Sequence, residues 1–92
     1  MATNHYVYIL LCKDNTYYTG YTTDVLRRVK MHETGKGAKY TRGRSPLQLV
    51  YVEKCCNKSL ALKREHEIKR MSRQEKERLI ATKGWQIDAS TK

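Results

Sequence analysis

Apolar and polar positions divide the 92-residue chain into six segments. The first, Tyr6-Val7-Tyr8-Ile9-Leu10-Leu11-Cys12, is a continuous β-branched and aromatic run, the composition of a buried strand. Lys13-Asp14-Asn15 has turn chemistry. Thr16 to Tyr21 then predicts the returning strand of a hairpin, ended by Gly20, where backbone must approach something closely. Thr23 as N-cap and Asp24 in the first turn open a helix that runs to about Thr34, with Gly35 at C′. Leu47 to Val52 is a third strand. Ser59 caps a second helix that reaches about Met71. Ser72 and Glu75 form a capping-box pattern that starts a third helix, extending to about Lys83.

The order β-β-α-β-α-α predicts an α/β (α+β) fold. Its centre is a small, mainly antiparallel three-stranded sheet flanked by helices. The length suits one domain over residues 1–92, with a core over about 5–83 and a tail over 84–92. A chain this short has a small core and no room for a second lobe.

Charge narrows the partners. Lys plus Arg number 19 against 9 acidic residues, a net charge of +10. The excess is shared evenly, with 8 − 3 = +5 in residues 1–46 and 11 − 6 = +5 in residues 47–92. Such a surface predicts a polyanion partner, because each basic contact to phosphate releases counterions. The apolar runs are too short to span a membrane, and the first residues lack the pattern of a signal peptide. Cys12, Cys55 and Cys56 contain no C-x-x-C pair, and adjacent cysteines suit neither zinc ligation nor an unstrained disulfide. Free thiols fit a reducing cytoplasm.

The chemistry rests on a few placed groups. Tyr8 and Tyr18 stand ten residues apart, and Arg28 follows Gly20 by eight. Arg28 and His32 are i and i+4 and share a helix face. Val25 lies on the same stripe, which sets Arg28 beside the core. In the second helix Leu60, Ala61, Leu62 and Ile68 define an apolar arc, and Glu65 falls inside it. An inward carboxylate needs a metal ion or a basic partner, because burying it alone is costly. Lys36, Lys39, Arg42 and Arg44 form a basic glycine-bearing stretch that either solubilises or contacts phosphate. Tyr40 is available there for stacking.

Taken in order, Tyr6-Val7-Tyr8, Tyr18-Thr19-Gly20, Arg28, His32 and Ala61-Leu62-Lys63-Arg64-Glu65 resemble the GIY-YIG nuclease superfamily, closest to its small stand-alone bacterial members. The likeness covers residues 6 to about 71. Tyr6 stands at the first signature's glycine, Val7 at its isoleucine and Thr19 at the second signature's isoleucine. Many members also use a late asparagine. Asn57 precedes the glutamate helix, so no residue takes that role here.

The resemblance implies a metal-dependent endonuclease acting on DNA, with RNA as a further candidate, and a place in repair or recombination. It assigns one Mg²⁺ or Mn²⁺ ion to Glu65 and the scissile phosphate to Arg28. Tyr8 or Tyr18 would position or deprotonate the attacking water, His32 would take or relay the proton, and Gly20 and the 36–44 stretch would face the nucleic acid. A free tyrosine is a weak base at neutral pH, so the metal and Arg28 would have to lower its pKa. With no added targeting domain, weak or structure-selective activity, or action with a protein partner, is expected. The alternative is a nucleic-acid-binding module that keeps the nuclease fold with little turnover.

One geometric expectation follows. A two-residue turn would place Tyr8 and Tyr18 on opposite sheet faces, whereas a three-residue turn or a bulge places them on one. A shared site requires the latter.

Overall fold

A computed structural model describes residues 4–35 and 46–83. Its elements are β1 (His5–Leu11), β2 (Tyr17–Thr22), α1 (Val25–Glu33), β3 (Gln48–Cys55), α2 (Lys58–Lys69) and α3 (Arg73–Lys83). The predicted order therefore holds. The sheet order is β2-β1-β3, and both pairings are antiparallel.

Alternation along β1 sorts two cores onto the two sheet faces. Tyr8, Leu10 and Cys12 pack with Val25 and Val29 of α1 and with Leu47, Leu49 and Val52. Val7, Ile9 and Tyr51 pack against Ala61 and Ile68 of α2, with Met71, Leu79 and Ile80 beyond them. The sheet is thus covered by α1 on one side and by α2 and α3 on the other. A bulge opposite Ile9 and Leu10 shifts the β3 register from Tyr51 to Leu49. It lets Val52 and Leu49, an odd number of residues apart, share the α1 face.

The hairpin has the turn that a shared tyrosine face needs. Cys12 N–H donates to the Thr16 carbonyl at 2.8 Å, enclosing Lys13, Asp14 and Asn15. Asn15 adopts φ = 67°, the left-handed residue of a three-residue hairpin loop. Tyr8 consequently pairs with Gly20 and Leu10 with Tyr18. Tyr8 and Tyr18 face the same way.

Several boundaries move. β2 continues past Gly20 to Thr22, and β3 runs on to Cys55. Asp24, not Thr23, caps α1, its Oδ1 accepting the Arg27 N–H at 3.2 Å. Asn57 replaces Ser59 as the cap of α2, accepting from Leu60 N–H at 2.8 Å. The Ser72–Glu75 capping box forms in both directions, at 2.8 and 3.2 Å. The apolar arc expected on α2 is narrower. Ala61 and Ile68 are buried, but Leu60 and Leu62 are 49% and 41% exposed. Two inward positions suffice there because the strands already supply most of that core.

Candidate functional site

The site grows from the Tyr8–Gly20 pair. A Cβ placed on Gly20 would stand 2.5 Å from the Tyr8 hydroxyl oxygen and 2.6 Å from its Cζ. Glycine therefore leaves room for the Tyr8 ring over β2. This is the close approach that Gly20 predicts, although the approaching group is a side chain of the same chain.

The Tyr8 hydroxyl lies 2.8 Å from His32 Nε2. Tyr18 completes the group, its ring 5.2 Å from the His32 ring in an edge contact and 6.3 Å from Tyr8. Helical spacing carries His32 to the sheet: Val25, Arg28 and His32 descend one face of α1, and Val25 and His32 are buried.

Tyr8 is 1% exposed and His32 is 0% exposed. Burial drives the Tyr8 pKa up to about 12, Arg28 works against that as hydrogen-bond donor and charge, and the charge of Glu65 adds to the rise. Burial and then the Arg28 charge hold His32 below the usual histidine range. At neutral pH both members of the pair are therefore uncharged and share one hydrogen bond. At Tyr8 desolvation outweighs the Arg28 guanidinium, so Arg28 by itself does not make this tyrosine acidic.

Arg28 is half-buried beside this pair, and its Nε is buried with no hydrogen-bond partner among the described residues. A donor left this way costs about 1–3 kcal/mol.

Glu65 comes from α2, the helix on the opposite sheet face, yet its charge reaches Tyr8. Its side chain is 17% exposed, and Oε2 pairs with Lys69 Nζ at 3.1 Å. Lys69 is thus the basic partner that an inward carboxylate calls for, supplied at i,i+4 on the same helix. No cluster of three or more His, Cys, Asp or Glu side chains able to hold a metal occurs among the described residues. The donor set fits an ion bound through one carboxylate with waters and substrate oxygens, as Mg²⁺ prefers. It does not fit a cage built wholly from protein.

Lys36, Lys39, Tyr40, Arg42 and Arg44 lie outside the described residues. A second charged cluster sits on the α2 face, where sequence reasoning proposed no site. Arg64 pairs with Glu53 at 3.0 Å and Glu67 at 3.3 Å, and Tyr51 donates to Glu53. It borders an open pocket of about 400 Å³ together with Cys55 and Cys56. All three cysteines are free thiols.

The fold thus gathers Tyr8, Gly20, Tyr18, Arg28 and His32 on the α1 side of an α/β domain, with the charge of Glu65 reaching Tyr8 from α2. Comparison with known proteins gives the family. The family model described as the GIY-YIG catalytic domain matches residues 4–78, and the chain belongs to that family. It is 62% identical over 81 residues to a UPF0213 protein of Natronomonas pharaonis, covering 88% of this chain and 95% of that one. The solution NMR structure of a UPF0213 protein from Bacillus halodurans is similar at 55% identity and a TM-score of 0.59, covering 96% of this chain and 94% of the other. A second NMR structure, from E. faecalis, gives 41% identity and a TM-score of 0.61 over 88% and 86%.

Proposed function

We propose that this chain hydrolyses phosphodiester bonds in DNA, with Glu65 holding one divalent ion. The carrying observation is the Arg28 guanidinium, whose Nε is buried and has no partner among the described residues, beside an uncharged Tyr8–His32 pair. Arg28 takes a non-bridging oxygen of the scissile phosphate. Burial assigns the two tyrosines different work. Tyr8 is enclosed, so it stays protonated and, hydrogen-bonded to His32 Nε2, positions Arg28. Tyr18 is half-buried and is the tyrosine that meets the attacking water. A bound ion supplies Lewis-acid polarisation of the phosphoryl oxygen. Gly20 acts by admitting the Tyr8 ring, not by facing nucleic acid.

The positive surface holds the phosphate backbone over these groups, and the 36–44 stretch is assigned to that task by its composition. No helix among the described residues is long and apolar enough to cross a membrane. Free Cys55 and Cys56 suit a cytoplasmic setting, and preference for branched DNA would place the activity in repair or recombination.

Cleavage of supercoiled plasmid and short branched DNA with Mg²⁺ or Mn²⁺ tests the reading. Glu65→Ala and Arg28→Ala are expected to abolish cleavage while the fold persists. The Lys69–Glu65 ion pair, which competes with an ion, favours a second reading: a binding module with little turnover. Undetectable cleavage by the wild type, with DNA binding unchanged in both variants, would establish that reading instead.

A further inference from the structure

An open cavity of about 190 Å³ lies at the start of α1, bounded by Thr22, Thr23, Asp24, Arg27, Arg28 and Met31. It shares Arg28 with the Tyr8–His32 cluster, so it opens directly beside the site. Two of its three charged groups are guanidinium groups. The third is already engaged: Asp24 Oδ1 accepts the backbone N–H of Arg27 as the helix cap. The Thr22 hydroxyl is also taken, bonding to the backbone N–H and carbonyl of Asp24 at 3.0 and 3.2 Å. The Arg27 side chain is exposed and has no hydrogen-bond or ion-pair partner among the described residues. The positive end of the α1 dipole adds to the same field.

Successive helical residues diverge by about 100° around the axis. Arg27 and Arg28 therefore approach the cavity from different directions. They suit two phosphates of one strand.

We propose that this cavity is the subsite for the phosphate neighbouring the scissile one, held by Arg27. The inference rests on the nuclease reading above. Arg28 takes the reacting phosphate, and the strand continues over the first turn of α1. Arg27 then grips substrate and transition state alike. Its loss raises KM and leaves kcat in place.

The test is salt-dependent binding of a fluorescent ten-residue oligothymidylate in EDTA. Each phosphate contact to a single strand contributes about 0.7 to the slope of log K against log salt. Arg27→Gln is expected to lower the slope by about 0.7, with Arg27→Lys restoring it. Lys30→Gln, on the same helix outside the cavity, leaves it unchanged. With Mg²⁺ and branched DNA, Arg27→Gln raises KM and keeps kcat within about twofold. An unchanged slope in Arg27→Gln, or an equal drop in Lys30→Gln, overturns the subsite. If Arg28→Gln lowers the slope and Arg27→Gln does not, the subsite falls and the nuclease reading stands. If the wild type binds no oligonucleotide, the subsite falls, and cleavage of branched DNA decides the nuclease reading separately.

Discussion

The hydroxyl of Tyr8 and Nε2 of His32 lie 2.8 Å apart with both side chains out of water, joining the first strand to the first helix. Tyr8→Phe leaves that ring nitrogen without the hydroxyl. A buried polar group that loses its partner costs about 1–3 kcal/mol. Urea denaturation is expected to show a loss of that size. The double variant Tyr8→Phe/His32→Leu should lose less than the sum of the two single changes.

The same pair makes stability depend on pH in both directions. His32 titrates below its unfolded value, so its contribution is complete above about pH 6.5 and is lost as pH falls through the lower folded pKa. Tyr8 is raised to about 12, so its contribution is complete below about pH 10 and is lost as pH rises toward that value. Urea midpoints should fall on the acid side of about pH 6.5. His32→Leu should flatten that limb; an unchanged limb would mean that His32 is not the group responsible.

Gly20→Ala forces a methyl against the Tyr8 hydroxyl and Cζ, 2.5 and 2.6 Å from the ideal Cβ. Overpacking of this kind costs about 1–3 kcal/mol. The expected loss in thermal stability should shrink in a Tyr8→Leu background, where the ring is gone. An equal loss in both backgrounds would trace the effect to strand conformation instead.

Thr19 is 3% exposed, and its hydroxyl has no hydrogen-bond partner among the described residues. It pairs with Ile9 and so faces α2. Thr19→Val keeps the shape and removes the unsatisfied oxygen. It should stabilise the protein by roughly 1 kcal/mol, read as a higher urea midpoint with an unchanged slope. A destabilised variant would reveal a partner for that hydroxyl.

Lys69 competes with any cation for Glu65 Oε2 at 3.1 Å. Lys69→Met should tighten Mn²⁺ binding severalfold, followed by Mn²⁺ relaxation of water protons, and Glu65→Gln should abolish the gain. Equal Mn²⁺ affinity in Lys69→Met and wild type would remove Glu65 as the ion's holder.

Local chemistry was legible wherever a few neighbouring residues settle the outcome. The capping box of Ser72 and Glu75, Gly35 after the first helix and the turn at Lys13-Asp14-Asn15 depend on adjacent backbone groups, and each formed. Caps chosen among several polar residues in a row were misplaced by one or two positions, because Thr23 and Asp24, or Asn57 and Ser59, are chemically near-equivalent there. On α2 the sequence could not say how wide a face the sheet would cover, so Leu60 and Leu62 were placed inside and stand outside.

The order of elements and the placing of Arg28 and His32 on one helix stripe were determined by the sequence alone, through the periods of strand and helix. Only the tertiary structure decided that Tyr8 lies over Gly20, that the Tyr8–His32 pair is enclosed and uncharged, and that Glu65 acts on it from the other side of the sheet. Those are consequences of burial and of contacts between segments far apart in the chain. Desolvation depends on everything packed around a group, and no local pattern of residues carries that quantity.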